Sequence, residues 1–100
     1  MVIFSYSTLR DFFRKYPDSK DALISWYRIT QKASFSTSHD VKLAFNSVDA
    51  IGHGLYVFNI RGNTYRLIVK IKFKSRTVFI RFIGTHQQYD KIDVRSLWKT

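Results

Sequence analysis

The chain has 100 residues, of which 17 are Lys or Arg and 7 are Asp, with no Glu, so its formal net charge at pH 7 is +10. A surplus of this size indicates a polyanionic partner. The 17% aromatic content, with only 4 Gly and 1 Pro, excludes collagenous, low-complexity and disordered chains. The absence of Cys excludes disulfide bonds, thiolate metal ligands and a cysteine nucleophile.

The length is typical of one domain, and we expect residues 1–100 to form it. No apolar run approaches the ~20 residues that a membrane-spanning helix needs, so no membrane partner is predicted. The N-terminus lacks the basic stretch and apolar core of a signal peptide. We therefore expect a cytoplasmic location.

The first half of the chain is predicted to be helical after a short strand at Val2–Phe4. Ser7 is a good N-cap, and the apolar residues behind it recur at helical spacing until Pro17 ends the helix. Asp18 is predicted to cap a second helix that reaches about Ala33. The short joint favours antiparallel packing of the two helices.

The second half is predicted to be a sheet. A polar loop at Phe35–Asp40 and one helical turn at Val41–Phe45 lead into alternating apolar residues, which predict strands. Short joints make these strands an antiparallel meander, and a short helix or ordered tail follows Gly84, with Thr85 or Asp90 as its cap. The fold class is therefore α+β, with N-terminal helices on a small twisted antiparallel sheet. The three predicted strands are Leu55–Ile60, Thr64–Phe73 and Thr77–Ile83.

The middle strand carries the most specific signal, because its cations alternate with its apolar residues. One face is apolar and packs on the helices, while the other carries four cations and one isoleucine. Antiparallel sheets often have a solvated face, but no run of acidic residues lies nearby to neutralise these charges. A phosphate-binding surface is therefore favoured over an idle one. Its predicted members are Arg61, Arg66, Lys70, Lys72 and Lys74, with Arg81 from the next strand.

Metal and cofactor chemistry are not predicted. The histidines His39, His53 and His86 lack carboxylates at ligand spacing, and Gly52-x-Gly54 leads into a strand, which is not the context of a phosphate loop. Cations and a proton carrier suit RNA cleavage through the 2′-hydroxyl, which needs proton transfer and stabilisation of a charged transition state. His86 follows the last strand, and a lone histidine in that position is more often a cap or a surface residue than a catalytic group.

Three stretches of the second half carry a resemblance to a known family. They are YVFNI at 56–60, Gly62-Asn63-x-Tyr65-Arg66-Leu67, and IRFIGTHQQYDK at 80–91. Together they resemble the HigB family of type II toxin–antitoxin toxins, and Thr8–Tyr16 and the Leu43–Asp49 region follow the same layout more loosely.

The resemblance implies an mRNA interferase of the RelE/ParE superfamily, a small α+β fold whose members often cut mRNA in the ribosomal decoding site. The implied partners are the ribosome, mRNA and a HigA-type antitoxin. That antitoxin carries a helix-turn-helix domain, so operator DNA would be contacted only through it.

The resemblance also implies roles for single residues. Arg66 is expected to touch the scissile phosphate and His86 to act as general acid or base. Tyr89 would stack on a base and Asp90 would orient His86, while Lys42 matches a basic position of the family. Before that tyrosine the family often has an acidic residue, where this chain has Gln88.

Two functions of other classes stay open at the level of sequence. One is a non-catalytic RNA- or DNA-binding module that uses the same basic face. The other is a ParE-like toxin that shares the fold and inhibits DNA gyrase. His86 and Tyr89 favour the nuclease, because a surface that only binds has no need of a group that titrates near neutrality.

Overall fold

The computed structural model describes residues 1–97, in which short 3-10 turns at Pro17–Ser19 and Val94–Leu97 accompany four helices and five strands. The strands are β1 (Val2–Phe4), β2 (Val48–Gly52), β3 (Leu55–Ile60), β4 (Tyr65–Lys72) and β5 (Thr77–Thr85). The helices are α1 (Tyr6–Lys15), α2 (Lys20–Lys32), α3 (Ser38–Ala44) and α4 (His86–Lys91).

The strands form one sheet in the order β1-β5-β4-β3-β2. The predicted meander is confirmed, because β3, β4 and β5 pair antiparallel in chain order. The α+β prediction is confirmed as well, although the sheet is mixed. β1 lies parallel to β5, with Val2 opposite Thr77 and Phe4 opposite Phe79.

The edge strand β2 was absent from the sequence prediction. It pairs antiparallel with β3, and its register shifts between Ala50 and Gly52. Asp, Ala and Gly are depleted in strands, and the strand is mostly exposed, so VDAIG lacks the apolar alternation that marks a strand. Pairing with β3 overrides this weak local preference.

The predicted helix starts were wrong in detail. α1 begins at Tyr6 behind Ser5, so Ser7 lies inside the helix and its hydroxyl is hydrogen-bonded to that of Ser5. Asp18 lies in a 3-10 turn and does not cap α2, which begins at Lys20. The start of α2 shifts because Pro17 opens the 3-10 turn before it.

α3 is longer than the single turn predicted at Val41–Phe45. It begins at Ser38, within the stretch that was predicted to be a loop. A capping box explains the earlier start, since Thr37 accepts from the Asp40 backbone N–H and Asp40 accepts from the Thr37 backbone N–H.

Both faces of the sheet are covered by apolar side chains, but unequally. The inward face of β4 packs with α1, α2 and α3 in a main core, as predicted. On the other face, Ile68 is 0% exposed and forms a second cluster with Leu55 and Val57. The C-terminal segment covers this cluster through Tyr89, Ile92, Val94 and Leu97. The face predicted to carry mainly cations is therefore partly a core.

The passage from β5 into α4 depends on Gly84 and a second capping box. Thr85 accepts from the Gln88 backbone N–H at 3.1 Å, and Gln88 Oε1 accepts from the Thr85 backbone N–H at 2.9 Å. A Cβ on Gly84 would lie 2.5 Å from Phe82 Cζ and 2.7 Å from Gln88 Oε1. Thr85 is thus the cap, one of the two predicted, and only glycine leaves room for it to work.

A polar contact ties the hairpin between β3 and β4 to the 3-10 turn before α2. The Tyr65 hydroxyl donates to Asp18, whose other carboxylate oxygen lies 3.2 Å from Arg61 Nη1. The hydrogen bond to Asp18, helped by burial, raises the pKa of Tyr65 above its usual value. The neutral phenol is therefore the form that the fold stabilises.

Tyr65→Phe removes this hydrogen bond and keeps the ring. We expect a loss of about 1 kcal/mol in the free energy of unfolding, at the low end for a bond to a charged group because Asp18 is 46% exposed. Below pH 10 the loss is constant. Above pH 10 the Tyr65 phenol ionises in the unfolded chain at a lower pH than in the folded one. The extra stability of the wild type is therefore lost, and the free energies of unfolding of the two proteins become equal. Urea unfolding from pH 7 to 11 measures this. Tyr27→Phe is the control, and equal midpoints at pH 7 would contradict the assignment.

Gly84→Ala forces both Phe82 and Gln88 to move. We expect a loss of about 1 to 3 kcal/mol, as in other overpacked sites, with faster hydrogen exchange in α4. Gln88→Ala removes the cap acceptor without a clash and should cost less. If the α4 amides of Gly84→Ala exchanged at the wild-type rate, the close approach of Phe82 and Gln88 to Gly84 would not determine the stability of α4.

Candidate functional site

Arg66 and Tyr89 form one half of the candidate site. Arg66 lies on β4 opposite Asn59 of β3 and Gly84 of β5. Its guanidinium Cζ is 5.8 Å from the centroid of the Tyr89 ring, within the range of a cation–π contact. Since Tyr89 belongs to α4, this contact links the end of β4 to α4.

The Arg66 guanidinium is half-buried, and its Nη1 atom has no hydrogen-bond partner among residues 1–97. A buried donor without an acceptor is uncommon and costs free energy. An anionic oxygen supplied by a ligand would satisfy it, and phosphate is the anion whose geometry guanidinium groups match best.

His86 and Asp90 form the other half. His86 is the first residue of α4, and its backbone N–H donates to Thr64 O at 3.3 Å across the hairpin turn between β3 and β4. Its Nε2 lies 3.5 Å from Asp90 Oδ2, one helical turn away. The His86 side chain is 50% exposed, so a ligand can reach the imidazole.

α4 joins the two halves. His86, Tyr89 and Asp90 are spaced three and four residues apart and therefore share one side of the helix. Tyr89 also belongs to the second cluster, where its ring centroid is 6.5 Å from that of Phe82. The second cluster thus fixes α4 on the sheet, and the four residues predicted as catalytic lie at one end of β4.

The predicted RNA-binding cations continue along the same face. Lys70 and Lys72 follow Arg66 on β4, so the series spans roughly 20 Å at the usual rise per residue. The register between β4 and β5 passes from Phe82 to Ile80 and puts Arg81 in a β-bulge. Lys74 lies in the exposed turn that follows β4.

Lys42 and Arg61 are placed differently. Lys42 lies on α3, the helix that buries Val41 in the main core, so it belongs to the helical layer and not to the face of Arg66. Arg61 lies in the turn between β3 and β4, near the end of the sheet where His86 lies, but it is paired with Asp18.

Sequence reasoning missed Phe79, which lies among these cations. The Nζ of Lys72 is 5.5 Å and the Cζ of Arg81 is 5.1 Å from the centroid of its ring. The signal was present, since Thr77, Phe79 and Arg81 alternate along β5. Alternation indicates that they share a face, but it does not say which face.

The structure explains why Gln88 can stand where the resembled family often has an acidic residue. Its side-chain oxygen completes the capping box that starts α4. An amide oxygen accepts this bond as a carboxylate would, so the cap does not need the acidic residue that the resembled family often has here.

Other kinds of site are scarce in the described part of the chain. Within residues 1–97, no group of three or more His, Cys, Asp or Glu side chains is placed to hold a metal ion, and no helix is long and apolar enough to cross a membrane. A groove of about 300 Å³ lies between α2 and the end of β3, on the side of the sheet that faces the helices, and is lined by Trp26, Phe45 and Phe58 of the main core. It is therefore separate from the face of Arg66.

Comparison with known proteins identifies the family of the chain. Residues 19–92 match the sequence model of the family HigB_toxin, described as the RelE-like toxic component of a toxin–antitoxin system. A curated protein named mRNA interferase HigB, from Escherichia coli O6:H1, is 34% identical over 94 residues, which cover 92% of this chain and 91% of that protein.

The mRNA interferase toxin HigB of Escherichia coli K12 is 32% identical over 92 residues, which cover 90% of this chain and 88% of that protein. The family match includes α2, the complete meander and α4, and so all of the candidate site. Family membership implies an antitoxin partner. The chain belongs to the HigB family of RelE-like toxins of toxin–antitoxin systems.

Proposed function

We propose that this toxin is an mRNA endoribonuclease that cuts messages on the ribosome. The observation that carries the proposal is the pairing of Arg66 over Tyr89 with His86 against Asp90 at one end of a basic sheet face. The relatives named mRNA interferase support it. Phosphodiester cleavage needs a group that transfers protons and a cation that stabilises the charged transition state, and His86 and Arg66 are groups of these two kinds.

The proposed reaction needs no metal ion and uses the 2′-hydroxyl of the RNA as nucleophile. The hydroxyl loses its proton, its oxygen attacks the adjacent phosphorus, and the 5′-oxygen leaves with a proton. The products are a 2′,3′-cyclic phosphate and a free 5′-hydroxyl.

Each residue of the candidate site has its own part in this reaction. His86 carries a proton in one of the two transfers, with Asp90 holding its ring. Arg66 stabilises the charge that grows on the non-bridging oxygens, and its unpartnered Nη1 is a donor for them. Tyr89 stacks on a base next to the scissile phosphate while it holds Arg66.

The remaining cations serve binding. Lys70, Lys72, Lys74 and Arg81 provide a basic track for the message and for ribosomal RNA, with Arg61 at the near end and Lys42 on the helical layer. The antitoxin is of the HigA type and contacts operator DNA itself, and the toxin acts in the cytoplasm, where its ribosome target lies.

Arg66→Ala and His86→Gln should slow cleavage without unfolding the protein. Loss of one well-placed donor typically costs about 10²–10³ in rate, and loss of proton transfer about 10²–10⁴. The double variant should lose less than the product of the two, because both residues act on one step. Single-turnover cleavage on a programmed ribosome at matched occupancy measures these rates.

Arg28→Ala, an exposed change on α2, is the control and should cleave at the wild-type rate. If both site variants also cleaved at that rate, the assignment would move to Tyr89 and Lys42. If wild-type toxin left mRNA intact but stalled replication, the protein would instead act as a gyrase inhibitor. Intact mRNA and normal replication with RNA still bound would indicate a binding module.

A second prediction concerns salt. Lys70→Ala with Lys72→Ala should weaken ribosome binding and flatten its dependence on salt, by about 0.7 to 1 unit of log–log slope for each lost phosphate contact. Arg28→Ala with Lys32→Ala removes the same charge from α2 and should leave the slope unchanged. Equal slopes for the two double variants would show that net charge, and not the basic face, drives binding.

A further inference from the structure

An exposed aromatic pair lies at the edge of the sheet, some distance from the cleavage site. The rings of Phe4 on β1 and Phe79 on β5 are stacked, with centroids 5.7 Å apart and planes 16° from parallel. Phe4 is 54% exposed. Because Phe79 covers one face of the Phe4 ring, this exposure leaves the opposite face open.

Packing within the chain does not explain this pair. Among the described residues, neither ring belongs to the main core or to the second cluster. The neighbouring Val2 is also 56% exposed, so the two exposed side chains of β1 form an apolar strip at the sheet edge.

Two cations flank the pair. Lys72 Nζ lies 5.5 Å and Arg81 Cζ 5.1 Å from the centroid of Phe79. An apolar protein partner would have to desolvate both charges, which is costly. A nucleotide instead offers a flat base for the ring and a phosphate for the cations. Flat aromatic surfaces beside cations are the usual means of binding single-stranded nucleic acid.

The pair lies on the same side of the sheet as the candidate cleavage site. Phe79 is opposite Lys70, and Phe4 is opposite Phe79. Lys70 follows Arg66 by four residues on one strand, roughly 13 Å at the usual rise. This distance is short enough for one RNA strand to contact both the guanidinium of Arg66 and the ring of Phe4, provided that the strand passes around the C-terminal segment that covers Ile68.

We propose that Phe4 and Phe79, with Lys72 and Arg81, form a stacking platform for an unpaired RNA nucleotide away from the cleaved bond. The choice of RNA as the ligand of this platform rests on the proposed function. It binds a base through the open face of Phe4 and a phosphate through the two cations. Because every base has a flat face, the platform adds affinity without adding sequence preference.

The test uses a fluorescein-labelled octanucleotide of 2′-O-methyluridine, which lacks the hydroxyl that cleavage needs. Binding is measured by fluorescence anisotropy and is therefore independent of catalysis. Phe4→Leu should weaken binding about five- to a hundredfold, the range for loss of one base–aromatic stack. Tyr6→Leu, an exposed aromatic of α1, is the control and should bind as the wild type does.

Phe4→Trp keeps a flat ring and should bind at least as tightly as the wild type. RNA should also quench the fluorescence of the added indole, measured as the difference from the wild-type protein. This signal tests the platform even if Phe4→Leu folds poorly, and thermal melting reports on folding. No quenching in Phe4→Trp together with wild-type affinity in folded Phe4→Leu would refute the platform.

Other outcomes separate the platform from the proposed function. If Phe4→Leu bound RNA normally but bound the antitoxin more weakly, the pair would be a protein interface and the platform would be refuted. If wild-type toxin failed to cut mRNA on ribosomes while Phe4→Leu lost RNA affinity, the cleavage proposal would fail and the platform would stand.

Discussion

The candidate site depends on the burial of Ile68 against Leu55 and Val57 beneath the C-terminal segment. β4 is the central strand of the sheet and is packed on both faces at this point. The contact brings Tyr89 onto the sheet, and Tyr89 brings α4. Complete burial of one Ile side chain stabilises a fold by roughly 2–3 kcal/mol. In this toxin the same burial holds His86 at the end of the strand that carries Arg66.

The acidic residues and the cations of the basic face are largely kept apart. Four of the Asp residues are already engaged in ion pairs: Asp11 with Arg10, Asp18 with Arg61, Asp90 with His86 and Asp93 with Arg95. None of these pairs includes Lys72 or Lys74. Like charges that are left together destabilise the folded chain through self-repulsion, which a bound polyanion relieves. RNA would therefore stabilise the toxin while it is bound.

Much of the fold could be predicted because its local and long-range preferences agree. The meander has strong alternation and short joints, and α1 has a clear apolar stripe. β2 could not be predicted, since its pairing with β3 supplies what VDAIG lacks. The predicted cap at Asp18 failed for a related reason. Asp18 is a good cap by residue type, but Tyr65 and Arg61 bind its carboxylate, and no local pattern reveals partners so distant in sequence.

The candidate site was partly predictable. The basic face of β4 and the position of His86 were visible in the sequence, and the family resemblance named the four residues that α4 and β4 bring to one end of the sheet. The cover over Ile68 was not visible, because the residues after Gly84 have no clear period. The position of Phe4 could not be predicted either, since only the parallel pairing of β1 with β5 puts it on the same face of the sheet as Arg66.

That parallel pairing has a consequence for how the toxin is made. β1 is synthesised first, yet its only strand neighbour in the sheet is β5, which is synthesised after all the other strands. The contact between Arg66 and Tyr89 likewise cannot form until Tyr89 has been synthesised. Contacts between such distant parts of a chain form late and slowly. While a ribosome is still producing the first four strands, the nascent toxin has neither its sheet edge nor its paired site. Of the described chain, nearly all must therefore be added before the sheet edge and the Arg66–Tyr89 contact can both form.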